Sequence, residues 1–247
     1  MKNRLGIIIP FYYKINEFKF TFPINWWKIP NKTEIILSVD EPHSGDLLID
    51  FIKKYNNLRW KIICNNRTHI WRSPCAAINV GIKHSISDYL LVVSPESIFV
   101  NNLISKVYEN VSKSQACAGR LYKCKLGEVK TLGINECVKK YPFKEYYGSI
   151  CFPRKSALNV CGYDECMVDW GGDDDNFRVR LKMDGISLKY IESGILHVLD
   201  ENRTDYVKGT YTKFTKEEIY FPKHKICPHC SDKWGQDYKE IIYCNYL

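Results

Sequence analysis

The residues best suited to chemistry stand in one stretch, Trp170-Gly171-Gly172-Asp173-Asp174-Asp175-Asn176-Phe177-Arg178-Val179-Arg180-Leu181. Three adjacent carboxylates interrupt a chain whose formal net charge is +8. Two unit charges about 4 Å apart repel by roughly 1–4 kcal/mol, depending on solvent exposure. A run of this kind therefore calls for something that offsets the repulsion or uses it. A helix start offsets it, by about 0.3–1 kcal/mol for each acidic group in the first turn. Gly171 and Gly172 supply tight backbone ahead of such a helix, and Arg178 lies at i+4 from Asp174 and i+3 from Asp175, within pairing range of either. The second use is proton transfer. Successive helical residues point about 100° apart, so one or two of the carboxylates face any pocket. Neighbouring negative charge raises the pKa of such a group toward that of a general base. Residue types alone leave both uses open.

A base needs a scaffold to aim it. Residues 6–10, 34–39, 60–64 and 89–93 are short apolar runs that suit buried strands, apolar on both faces. Residues 47–55 and 74–85 have helical spacing, the second with Pro74 near its first turn. Strands alternating with helices predict a parallel sheet covered by helices. Such sheets bind ligands beyond the carboxyl ends of their strands. The residues just after the strands are Pro10–Tyr12, Asp40–Glu41, 65–67 and 94–97, and polar and acidic groups collect there. The second half is less regular: a hairpin is expected within 122–138, a strand over 147–152, and another over 186–191 leading to His197.

Composition narrows the class. A chain of 247 residues holds one large domain, or one with a small appendage. With 45% hydrophobic and 26% charged residues it is not a disordered, collagen-like or coiled-coil chain. No apolar run approaches the ~20 residues of a membrane span, and the N-terminal apolar stretch is too short for a signal peptide. A soluble, cytoplasmic protein is the expectation. Lysines are scattered with no long run, which argues against nucleic acid and suits a basic pocket for a nucleoside diphosphate. The 11 cysteines are odd in number and irregularly spaced, which predicts reduced thiols.

The tryptophan, paired glycines, acidic run and following Arg180-Leu181 resemble the acceptor and base region of inverting GT-A glycosyltransferases, in both the galactosyltransferase branch and family-2-type enzymes. The similarity runs in order over roughly residues 5–200. It takes in residues 7–13, 34–41, 73–93, 147–165 and His197. The resemblance implies a Rossmann-like, three-layer α/β/α fold with a mostly parallel central sheet. It assigns Asp174 as the general base, and Asp173 and Trp170 as acceptor ligands. Asp173 stands where the family usually has Glu and reaches one methylene less. Donor contacts fall to Pro10, Tyr12, Asp40, Arg72, Asn79 and Glu96. The family's Asp-X-Asp, which holds a divalent ion against the donor diphosphate, is replaced by Ser94-Pro95-Glu96. Glu96 and His197 remain as ligands for Mn2+ or Mg2+. The alternative is that Lys or Arg side chains, Arg72 among them, neutralise the diphosphate.

The tail carries Cys227-Pro228-His229-Cys230, with His224 and Cys244 nearby. One such knuckle supplies half of a zinc site at Cys227 and Cys230, or a dithiol, or simply structural thiols. The chain is thus expected to comprise a catalytic domain over 1–200, with a nucleotide-sugar half at 1–100 and an acceptor half at 101–200, and an extension over 201–247 packed on the same domain. The leading function is transfer of a hexose from a nucleotide-diphosphate sugar to a glycan, protein, lipid or small-molecule hydroxyl, with inversion. A silent sugar- or nucleotide-binding module, a nucleotidyltransferase and a retaining transferase are the alternatives.

Overall fold

The apolar runs form the middle of one sheet because their side chains are buried on both sides of it. The computed structural model describes residues 4–66, 73–140, 145–147, 149–169, 171–199, 212–227, 230 and 232–246, the side chain of Pro42 excepted. The strands are β1 (Leu5–Phe11), β2 (Glu34–Val39), β3 (Arg59–Asn65), β4 (Tyr89–Val92), β5 (Ser97–Val100), β6 (Gln115–Lys125), β7 (Ser149–Pro153), β8 (Ser187–Leu199) and β9 (Tyr238–Cys244). The helices are α1 (Ile15–Asn25), α2 (Gly45–Ile52), α3 (Cys75–His84), α4 (Leu103–Asn110), α5 (Leu126–Leu132), α6 (Ile134–Lys140), α7 (Arg154–Asn159), α8 (Asp173–Met183) and α9 (Lys216–Tyr220). The strands lie in the order β5-β8-β6-β7-β4-β1-β2-β3-β9. The block β4-β1-β2-β3 is parallel throughout, and β6 pairs in parallel with β8. Strands β5, β7 and β9 run against their neighbours.

Every residue of β1 and β2 is buried. One face packs on Phe18 and Phe22 of α1, Leu48 and Ile52 of α2, and Leu103 and Val107 of α4. The other packs on Ile78 and Ile82 of α3, Ala157 of α7, and Phe177 and Leu181 of α8. Each large aliphatic or aromatic side chain so buried contributes about 1.5–3 kcal/mol, which is why these runs carry no polar alternation.

Two expectations are corrected. Residues 122–138 do not form a hairpin: β6 continues to Lys125 and two short helices follow. The Glu128 carboxylate accepts from the Lys125 backbone N–H at 3.3 Å, starting α5, and Gly133 at φ +80° separates α5 from α6. The strand expected over 186–191 runs on through His197, because its second half inserts between β5 and β6. Helix α1, with Pro23 inside it, had no counterpart among the expected elements. Strand β9 of the tail pairs antiparallel with β3 and closes that edge of the sheet.

Candidate active site

The topology gathers the candidate residues on one rim. The parallel strands β1 to β4 end on the same edge, and β6 and β8 run in the same direction. The antiparallel strands β5 and β7 begin there. Residues following β1, β2 and β4, together with His197 near the end of β8, therefore share that edge. Helix α8 leads into the start of β8 at the opposite edge, so its first turn lies at the rim. The Cys75 thiol, at the start of α3 after β3, lies 3.8 Å from an Asp173 carboxylate oxygen.

On the β1–β3 side, Asp40 is buried, and its Oδ1 accepts from Asn65 Nδ2 at 2.5 Å. The Asp40 N–H donates to Phe11 O at 3.0 Å, joining the ends of β1 and β2. Tyr12 is half-buried, edge-on to Tyr13 with centroids 4.8 Å apart. Pro10 is buried inside β1 in register with Ser38. Arg72 and Trp170 lie outside the described residues. Asn79, expected among the donor contacts, lies away from the strand ends. It is fully buried on α3, donating to Tyr163 O at 2.8 Å and Glu165 Oε1 at 2.9 Å and accepting from Tyr163 N at 2.7 Å. With its amide engaged on both sides, it fastens the 162–165 loop to α3.

Beyond β4, Glu96 is buried, and its Oε1 forms an ion pair with Lys14 Nζ. Burial alone would raise the Glu96 carboxyl, but the Lys14 ammonium, with His197 adding, holds it down at about 2. Burial pushes His197 down to about 4, against the pull of Glu96, so the imidazole is neutral. His197 Nε2 and Ser94 Oγ are 2.6 Å apart, and Ser94 Oγ and Ser97 Oγ are 3.0 Å apart. Helix α1 straps this loop: Thr21 Oγ1 donates to Pro95 O at 2.6 Å, Asn25 Nδ2 to Ser97 O at 2.7 Å, and Phe99 N to Asn25 Oδ1 at 2.8 Å.

A divalent ion here would find a partial donor set. Glu96 Oε2 is buried without a hydrogen-bond partner, as a waiting ligand would be. Glu96 Oε1 and His197 Nε2, however, are engaged by Lys14 and Ser94. Among the described residues no group of three or more His, Cys, Asp or Glu side chains is placed to hold a metal ion. Glu96 and His197 do not by themselves make a resident metal site. The same finding leaves the zinc expectation at Cys227 and Cys230 without support. Cys227 is buried, and burial with the neighbouring Cys161 pushes the Cys230 thiol up to about 12. No disulfide joins the described cysteines.

The acidic run opens α8 as its spacing suggests. Gly171 and Gly172 have φ of +99° and +87°, the left-handed turn that glycine takes at no steric cost. The three half-buried carboxylates meet different surroundings. Burial, then the charge of Asp174, raises Asp173 to about 7. Burial also raises Asp174, Arg178 opposes this, and the Tyr163 hydroxyl donates to Asp174 Oδ1 at 3.3 Å. Asp175 accepts from the Tyr147 and Tyr220 hydroxyls at 2.9 and 3.0 Å. Arg178 lies over the Tyr147 ring at 4.7 Å and donates to Tyr146 O. Lys14, Tyr163, Tyr147 and Tyr220 were missed by residue-type reasoning. Only Lys14 carried a signal, its position just after a strand end.

A family model described as the N-terminal domain of galactosyltransferase matches residues 130–204, less than half of the chain. No curated protein sequence matches it. Among solved structures, the chain is similar to the catalytic domain of Drosophila beta1,4-galactosyltransferase 7 in complex with xylobiose, at 16% identity and a TM-score of 0.55, over 88% of this chain and 79% of that one. A mutant of that enzyme was solved with manganese, UDP-Gal and xylobiose. S. aureus TarS 1-349 in complex with UDP is similar at 12% identity and a TM-score of 0.56, over 79% of this chain and 60% of that one. The mannosyltransferase PcManGT from Pyrobaculum calidifontis, in complex with GDP-Man and Mn2+, is similar at 12% identity and a TM-score of 0.57, over 82% and 59%. At these identities the likeness is one of fold.

Proposed function

From the GT-A glycosyltransferase fold that this chain shares with those neighbours, we propose that it transfers a sugar from a nucleotide-diphosphate sugar to an acceptor hydroxyl with inversion, Asp174 acting as general base. The observation that carries this reading is the acidic first turn of α8 on the rim where β1, β2 and β4 end. The donor lies across those strand ends, near Tyr12 and Asp40. Asp174 takes the acceptor's hydroxyl proton, the oxygen attacks the anomeric carbon in line, and the nucleoside diphosphate leaves on the far side of the ring. Burial suits Asp174 to the task, because it lifts the carboxyl toward neutral pH, where a base is most effective. Asp173, raised to about 7, hydrogen-bonds the acceptor sugar.

The galactosyltransferase family match supports a hexose donor, and xylobiose in the Drosophila complex supports a glycan hydroxyl as acceptor. Manganese in the neighbours' complexes supports positive charge at the departing diphosphate. No described helix is long and apolar enough to cross a membrane. A thiol-rich chain whose described cysteines form no disulfide suits a reducing cytoplasm.

The test is Asp174→Asn. It should retain nucleotide binding and lose about 10²–10⁴-fold in transfer, the usual worth of a general base. Turnover near the wild-type rate would remove the assignment. Product of retained configuration would remove inversion.

A further inference from the structure

We propose that the Lys14 ammonium is the positive charge this site sets against the donor's diphosphate, so that nucleotide binding and transfer proceed without a divalent metal ion. The inference rests on the transferase reading and specifies its leaving-group subsite.

Placement comes first. Lys14 follows the turn after β1, where Tyr13 has φ +49°, and immediately precedes α1 on the rim. Its side chain is 24% exposed while that of Glu96 is 8% exposed, so the ammonium sits between a buried carboxylate and the outside. The ion pair uses one of three ammonium hydrogens and leaves two for phosphate oxygens. The geometry is held from both ends. Thr21, Asn25 and Lys28 bind the backbone of Pro95, Ser97 and Phe99, so α1 and the Glu96 loop move as one piece.

Charge gives the second argument. Glu96 contributes −1 and Lys14 +1, so the ion pair is balanced with no metal. A pair of carboxylates in the Asp-X-Asp pattern would need a divalent ion to reach the same balance. Ser94 in place of the first carboxylate removes one negative charge and Lys14 adds one positive. Together they make the two-unit change that the ion would make. Ligand atoms give the third argument: an incoming metal would have to displace Lys14 from Glu96 Oε1 and Ser94 from His197 Nε2, leaving Glu96 Oε2 as its one ready ligand.

In the reaction the bond between the anomeric carbon and the diphosphate oxygen breaks, and its electron pair stays on that oxygen. The acceptor oxygen forms the new bond and its proton goes to Asp174. Lys14 keeps its proton and stabilises the added charge through charge-assisted hydrogen bonds.

The experiment is calorimetric titration of the full chain with UDP and GDP, and with uridine and guanosine, in EDTA and then in Mn2+. One diphosphate should bind in EDTA with an affinity that Mn2+ leaves nearly unchanged. Lys14→Ala should weaken that diphosphate by about tenfold or more, the worth of a hydrogen bond to a charged group. It should leave the matching nucleoside unchanged, and Lys14→Arg should restore most of the loss. Should the alanine variant lose the nucleoside too, Lys14→Met, which keeps the stem, decides by the same comparison. Diphosphate binding that requires Mn2+, or that ignores the loss of the ammonium, overturns the inference and leaves the transferase reading standing. Binding of neither diphosphate under either condition overturns both.

Discussion

At the start of α8 each residue's behaviour follows from what surrounds it. An aspartate in an unfolded chain releases its proton near 3.9, whereas Asp173 in the fold does so at about 7, because of burial and the Asp174 charge. Between these values the folded state binds more protons than the unfolded one. Stability must therefore fall as pH rises through that window. Asp173→Asn removes the dependence, so the variant should melt higher than the wild type at pH 8 and show a flatter profile down to pH 5. Thermal melts across that range check it, and a wild type that gains stability toward pH 8 at the variant's expense would sink it. The glycine ahead of the run is constrained in the other direction. A Cβ on Gly172 would come 2.7 Å from Ile219 Cδ1 at a φ of +87°. Gly172→Ala should thus lower stability by more than ~1 kcal/mol, read as a shifted urea midpoint. The acidic run stood out in the sequence because adjacent carboxylates are costly wherever nothing uses them. Lys14 had only its position just after a strand end to mark it, one residue among 36 Lys and Arg, until an ion pair singled it out.

Among the elements, legibility followed burial. Strands β1 to β4 and helices α2 and α3 were readable because their side chains pack on both faces of the sheet or along one helical stripe. Helix α1 was not. Its aromatic-rich sequence with Pro23 has weak helical character, and tertiary packing overrides it: Phe18 and Phe22 stack into a ring cluster with Phe51, Tyr55 and Trp60. The residues 122–138 misled for a related reason, since Gly127 and Gly133 resemble hairpin turns while Glu128 caps a helix. The hold of Asn79 on the 162–165 loop was not legible, because a buried amide looks the same in sequence whatever it binds. The element that matters most for the site is α1, because Asn25 satisfies both Ser97 O and Phe99 N. Asn25→Ala leaves two buried backbone groups unpaired at about 1–3 kcal/mol each. It should lower unfolding free energy by about 2 kcal/mol or more, and should weaken nucleotide binding as well, since the Glu96 loop loses its strap. Denaturant unfolding and nucleotide titration on the same variant measure both, and loss of stability with unaltered affinity would show that the strap does not hold the site.

For the molecule as a whole, the site occupies the carboxyl rim, where Tyr220 of the tail meets Asp175, and the last residues of the tail are fastened at the opposite edge. Glu34, at the start of β2, is buried and collects the hydroxyls of Ser85 and Ser87 at 2.5 and 2.7 Å, the Ile86 N–H at 3.1 Å, and the Tyr246 hydroxyl. Asn245 accepts from Trp60 N at 2.7 Å and donates to Leu58 O at 3.0 Å, so the segment after β9 is tied to β3 beyond its ladder. Strand β9 covers an edge that would otherwise present unpaired backbone groups to other chains. Tyr246→Phe deletes one donor to a buried carboxylate that keeps three others, a loss of about 1–3 kcal/mol for a hydrogen bond to a charged group. Because this anchor sits at the end of the strands remote from Lys14, Asp40 and the first turn of α8, the variant should unfold at lower urea yet bind nucleoside diphosphate with wild-type affinity. The opposite pattern, intact stability with weakened nucleotide binding, would mean that the two edges of the sheet are coupled and that the anchor at Glu34 shapes the rim as well as sealing the far side.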